Sequence, residues 1–253
     1  MLINFKKNSM KKIFLTLTIV LTGLTFFTSC DSTDTDNVSF VTNYPVFELI
    51  GEETVVVDTG GTFEDPGVIV TENGVEIPYT SSVKGLFQGG STLDTNVSDI
   101  YTITYSATNQ DGFSGTTTRT VIVSTNDDLS SGLAGLYTST VTRNGVLTGQ
   151  YTDMEYVLIW ENPDGTYEIS DGIGGYYDIG RGYGVGYAAT GAVITVNDFA
   201  TNNFSYSAFE VGGFGGACVM SSLTPNATNS TISFTTEWEL GYIFDVVLTQ
   251  VQF

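Results

Sequence analysis

The sequence predicts an all-β protein in two domains, on three observations. After the first 30 residues no segment keeps a helical period; short alternating runs rich in Val, Ile, Thr, Tyr and Phe are separated by Gly, Asn, Asp and Pro. ETVVVD, IYTITYSAT and RTVIVS read as strands in the first half, and EYVLIW, TYEIS, AVITV, STISFTTEWEL and IFDVVLTQVQF in the second. Between the halves, STNDDLSSG is polar or small except for one leucine, which marks a break.

The opening is a different kind of segment. MLINFKKNSMKK carries four lysines, IFLTLTIVLTGLTFF is mostly apolar, and TSC follows, the order of a secretory signal over residues 1–29. Its apolar run is shorter than the roughly 20 residues that cross a bilayer. Met10 offers a second start, since MKKIFLTL is itself a usual opening. Leu24-Thr25-Phe26-Phe27-Thr28-Ser29-Cys30 resembles a bacterial lipobox, with Phe27 where the family pattern has a leucine-like aliphatic. The resemblance implies that Cys30 is the lipidated first residue of the mature chain. DSTDTDN, in the tether 30–39, is similar to the acidic export tag of Bacteroidota lipoproteins. That implies an outer-membrane protein facing the cell surface and attached by its lipid alone.

Without the signal, 28 acids face four basic residues, Lys84, Arg119, Arg143 and Arg181, a net charge of −24. Such a surface repels phosphate backbones and excludes nucleic acid as a partner. Neutral ligands, cations and proteins remain. There is no histidine, so a His-based triad or general base is excluded. Glu155, Glu161, Glu168, Glu210, Glu237 and Glu239 offer carboxylates, but nothing marks two of them as a glycosidase pair. The expectation is a protein that is not an enzyme and holds no cofactor. With Cys30 lipidated, Cys218 has no disulfide partner, and in GGACVM it reads as a small apolar filler.

The first domain, 40–125, has a strand whose period is clear. In DIYTITYSAT, Tyr101, Ile103, Tyr105 and Ala107 share one face, ready to pack a second sheet. Glu64, Asp65, Asn109 and Asp111 carry oxygens that suit calcium, but their spacing is that of turns, and no metal is assigned. The Pro45 entry, Phe63-Glu64-Asp65-Pro66-Gly67-Val68, Tyr101-x-x-x-Tyr105, Asp111-Gly112 and Arg119-Thr120-Val121 resemble the bacterial surface Ig-like domain of pesticidal-crystal-protein type. That family implies a β-sandwich used as a spacer or adhesion module, with no catalytic residue.

A linker, 126–132, leads into the second domain, 133–253. Leu133-Ala134-Gly135-Leu136-Tyr137 followed by Thr142-Arg143-Asn144-Gly145 is similar to the opening strand of the antiparallel β-barrel or lipocalin-like domains that follow such Ig-like modules in Bacteroidota lipoproteins. The resemblance implies an accessory of SusC/SusD-type glycan uptake systems, with polysaccharide or oligosaccharide and the transporter proteins as partners. The alternative is a structural or assembly subunit, or an adhesion module, of an outer-membrane complex.

GIGGYYDIGRGYGVGY, residues 172 to 187, packs seven glycines and four tyrosines around Arg181. It lacks G-x-G-x-x-G, a lysine and a following helix, so it is no nucleotide loop. From Gly180 to Gly186 glycine alternates with Arg181, Tyr183 and Val185, and Tyr187 continues that set, so the stretch reads as a strand bare on one face. Two accounts stay open. In one, the glycines turn a tightly coiled barrel corner and the tyrosines pack across strands. In the other, Tyr176, Tyr177, Tyr183 and Tyr187 form a platform for pyranose rings, with Asp171, Asp178 and Arg181 bonding hydroxyls. Trp160, sharing a face with Met154, Tyr156 and Leu158 and ending its strand before Asn162-Pro163-Asp164-Gly165, is a further ligand candidate at a barrel mouth. Trp238, in line with Ile232, Phe234, Thr236 and Leu240, reads as core.

Overall fold

The structure is a computed structural model that describes residues 41–253. The signal, Cys30 and the acidic tether lie outside the described residues. From Tyr44 onward the chain forms one compact unit.

The first half supplies seven strands: β1 Val46–Leu49, β2 Thr54–Asp58, β3 Val68–Glu72, β4 Val75–Glu76, β5 Thr80–Gly85, β6 Asp99–Thr108 and β7 Ser114–Ser124. They make a three-stranded sheet, β1-β3-β4, and a four-stranded sheet, β2-β7-β6-β5, in which β2 runs parallel to β7. Tyr101, Ile103, Tyr105 and Ala107 face inward, as their spacing predicts, and meet Val68 and Val70 of the other sheet. β6 turns into β7 through Asn109, which accepts from Phe113 N, and Gly112, whose φ of +87° glycine tolerates.

The motif residues of this half converge on Arg119, which is fully buried. Its Nη1 bonds Asp65 Oδ1 and, at 2.9 Å, the Tyr105 hydroxyl, which itself donates to Asp65 at 2.6 Å. Its Nη2 reaches the Ile50 carbonyl at 2.6 Å, and its Nε the Glu52 carbonyl at 3.0 Å. Asp65 is thus occupied by protein groups. Among the described residues no group of three or more acidic or cysteine side chains is arranged to hold a metal.

The second half supplies β8 Gly135–Arg143, β9 Met154–Glu161, β10 Tyr167–Ile169, β11 Ala192–Asp198, β12 Asn203–Tyr206, β13 Phe209–Val211, β14 Gly215–Asn226, β15 Thr231–Trp238 and β16 Tyr242–Gln250. All nine join one antiparallel sheet in the order β12-β11-β10-β9-β8-β16-β15-β14-β13. The two edge strands, β12 and β13, are separated in sequence by Ser207 and Ala208 alone. Three residue steps reach at most about 11 Å, so the edges must come together and the sheet must curl. Tyr206 ties the curl, its hydroxyl accepting from Leu223 N of β14 at 3.1 Å. The edges share no ladder, so the result is a half-barrel, not a closed one.

Its concave side holds the largest apolar core, with Tyr137, Val157, Ile194, Phe234, Trp238, Phe244 and Leu248 among its members. Trp238 is core, as its spacing predicts, while Leu240, beyond the strand end, is exposed. Cys218 is fully buried, and burial, with the Asp171 charge nearby, pushes its thiol up to about 12. It fills space and stays unreactive.

Candidate functional site

The glycine-tyrosine stretch is not a strand. Residues 172 to 177 plug the concave side of the half-barrel and are buried. Gly172 is anchored there by Thr236, whose hydroxyl donates to its carbonyl at 2.6 Å. A Cβ on Gly174 would stand 2.7–2.8 Å from Ser139, Val246 and Val141, so only glycine lets the plug lie this close to the sheet. Tyr176–Gly180 then forms a π-type turn, with Gly180 N on the Gly175 carbonyl at 2.9 Å and Arg181 N on the Tyr176 carbonyl at 3.1 Å. Val185–Tyr187 adds a 3-10 turn. Gly182 and Gly184 have φ of +66° and +86°, outside the strand region, so alternating glycine here spaces turns.

The predicted site residues are distributed over three places. Tyr176 and Arg181 line a cleft of about 390 Å³ at one end of the half-barrel, with Arg143, Asn144, Thr148, Gln150, Tyr151 and Tyr242. Tyr177, Tyr183 and Tyr187 belong to an aromatic cluster with Phe214 and Trp238, in which Tyr177 and Tyr183 stack at 6.2 Å. Tyr177 is buried in it, while Tyr183 and Phe214 are each 48% exposed. Asp178 lies elsewhere, on a cleft of about 380 Å³ between the two halves, beside Phe87, Glu155 and Tyr156. Burial raises its carboxyl.

Trp160 is also at that boundary and not at a barrel mouth. It is 5% exposed and packs on Phe87 at 6.3 Å. The register of β8 on β9 shifts between Tyr137 and Thr138, so Met154 joins Val157 and Ile159 in the barrel core. Trp160 therefore shares its face with Leu158 and Tyr156 but not with Met154. Asp171 does not reach a surface either. It is 1% exposed, its Oδ1 accepts from Ile173 N at 2.8 Å, its Oδ2 has no partner, and burial pushes its carboxyl up to about 7.

The arginine cleft has a defined geometry. The Arg143 guanidinium carbon lies 4.8 Å from the Tyr176 ring centroid and 4.9 Å from that of Tyr242, and its Nη1 donates to the Tyr177 hydroxyl at 3.4 Å. Tyr151 stacks on Tyr176 at 4.0 Å, and Arg181 stands 5.9 Å from the same ring. Gln150 Nε2 ties the walls by donating to the Gly180 carbonyl at 2.6 Å. Arg143, Tyr151 and Tyr242 were not singled out from sequence as ligand residues. The signal that could have found Arg143 was scarcity, since it and Arg181 are the only cations after residue 125.

Comparison with known proteins matches this architecture. Residues 47–123 match the family model of the bacterial surface protein Ig-like domain. The first half is an Ig-like domain. A second family model, of a C-terminal domain, matches residues 126–250, next to the Ig-like domain. Among solved structures the chain is similar to the lipoprotein BT2262 from Bacteroides thetaiotaomicron, with 28% identity, a TM-score of 0.62, and coverage of 82% of this chain and 100% of that one. No curated protein matches the chain significantly. The likeness thus runs through the Ig-like domain and the half-barrel together.

Proposed function

We propose that this chain is a non-catalytic, lipid-anchored cell-surface protein whose half-barrel binds glycan as an accessory of a polysaccharide uptake system. The surface lipoprotein part is supported by the likeness to a Bacteroides lipoprotein and to a surface Ig-like domain, together with the lipobox-like Cys30. The Ig-like domain then acts as the spacer between anchor and half-barrel.

The glycan part is carried by the cleft at Tyr242, whose floor is the buried, stacked pair Tyr151 and Tyr176. Its volume suits a small saccharide, tyrosine rings suit sugar C–H faces, and Asn144, Thr148 and Gln150 bring polar groups for hydroxyls. No carboxylate lines it, whereas glycoside hydrolysis uses a pair, so the cleft is suited to binding without chemistry. A glycan array and affinity gels with the chain from residue 31 onward test this. We expect retention on at least one glycan, weakened about tenfold or more by Tyr242→Ala, a loss of roughly 1.4 kcal/mol or above. No retention on any glycan overturns the reading. SusC/SusD-type proteins recovered with the tagged chain from cell membranes would support the uptake partnership.

A second reading, an assembly subunit of an outer-membrane complex, is favoured by different features. Tyr176, Tyr177 and Trp160 are buried, and the convex face of β14, β15 and β16 exposes Val219, Ile243 and Val247.

A further inference from the structure

The cleft carries a charge pattern of its own. Residues 126–253 contain fourteen acids and two cations, and both cations, Arg143 and Arg181, line this one cleft while no acid does. Cations placed only for solubility would sit among the acids and pair with them. Among the described residues the only ion pair is Arg119 with Asp65, so neither cleft arginine has a carboxylate within reach. Tyrosine rings hold them instead: Tyr176 lies under both, and Tyr242 flanks Arg143. A guanidinium stacked on a ring face keeps its N–H fork in its own plane, free for a planar anion. Arg143 spends one donor on Tyr177, and Arg181 also bonds the Tyr176 and Tyr151 hydroxyls, but each fork has five donors.

We infer that this cleft, whose two arginines and lack of acids reverse locally the net charge that repels anions elsewhere, selects an acidic saccharide, a pyranose chain bearing carboxylates, with the carboxylate on the Arg143 and Arg181 forks and a sugar ring on Tyr242. Arginine forks match carboxylate geometry with two parallel hydrogen bonds, which a neutral sugar cannot reproduce. The inference rests on the glycan-binding reading and adds its substrate class.

Titration calorimetry on the chain from residue 31 onward tests it with three probes: an oligouronate, the same oligosaccharide with its carboxyls reduced to alcohols, and an oligoglutamate peptide. The uronate should bind about ten- to a hundredfold tighter than its reduced form, as a hydrogen bond to a charged group implies. Arg181→Gln, at an exposed position, should remove most of that preference, and Arg143→Gln the same where it folds. Lys84→Gln, an exposed cation in the other half, should leave it unchanged. Equal binding of uronate and reduced oligosaccharide overturns the inference and leaves the glycan reading standing. Binding of neither overturns both. Tighter binding of the peptide than of the uronate overturns the saccharide assignment.

Discussion

Two buried ionisable groups show what single residues do here. Arg119 joins Asp65, Tyr105 and the carbonyls of Ile50 and Glu52, so the Phe63–Val68 turn, the Tyr101-x-x-x-Tyr105 strand and the closing strand are parts of one network. That half was legible in sequence because its motif residues touch one another. Asp171 is the opposite case, a carboxyl whose setting no local pattern announces. Its folded pKa, about 7, lies above the ordinary carboxylate value of 3.8. Between those values the folded chain keeps a proton that the unfolded chain has lost, so stability falls as pH rises from about 4 to about 7 and this contribution is flat above. Urea unfolding of the parent and Asp171→Asn across pH 4 to 8 isolates the effect, because the other acids are common to both. We expect the difference between the two to shift steadily in favour of Asp171→Asn up to about pH 7 and then level off. A difference independent of pH would show that Asp171 is ionised in the fold.

At the scale of elements, the eight strands read from Val, Ile, Thr and aromatic runs all form, because such runs with period two have a single good solution. The 12-residue β14 escaped notice because GGACVMSSLTPN begins with glycines and contains Pro225. Residues 180–187 misled in the other direction, since glycine at every second place has the period of a strand while its positive φ values make turns. What docks those turns is Gly212 on the far edge strand's flank, whose N–H donates to the Ala188 carbonyl at 3.1 Å. A Cβ at Gly212 would stand 2.6 Å from the Gly186 carbonyl oxygen and 2.8 Å from that of Ala188, backbone atoms that cannot give way as a side chain does. Gly212→Ala should therefore cost about 1–3 kcal/mol, as overpacking does, and speed hydrogen exchange across residues 182–188. Gly186→Ala is the control, because a Cβ there meets nothing within 4 Å. Equal exchange in the two variants would mean that the turns do not depend on this contact.

The whole molecule depends on a seam that the sequence concealed. Val56, Ile100 and Ile122 on the outer face of the four-stranded sheet meet Leu136, Leu158 and Trp160 on the outer face of β8 and β9, and Phe87 closes on Trp160. In a period-two reading these residues look like any strand face, and nothing local says that the partner is the other half of the chain. Phe87 is held in place by Asp99, whose carboxylate accepts from the backbone of Phe87 and Gln88 at 2.9 and 3.0 Å. The connection between the halves is pinned as well, with Asn126 Nδ2 on the Val251 carbonyl at 2.6 Å and Gln250 Nε2 on the Asp127 carbonyl at 3.0 Å. Such a seam couples the two cores, so the parent should unfold in one calorimetric transition. Trp160→Ala empties the centre of the cluster, a change that costs about 3–5 kcal/mol for a buried tryptophan. For a chain of this size that lowers the midpoint by roughly 6–20 °C, and with the coupling gone the heat absorption should divide into two transitions, one per core. Two transitions already in the parent would mean that the halves are joined only by the chain between them, and a single transition of the variant at the parent's temperature would mean that Trp160 does not carry the coupling.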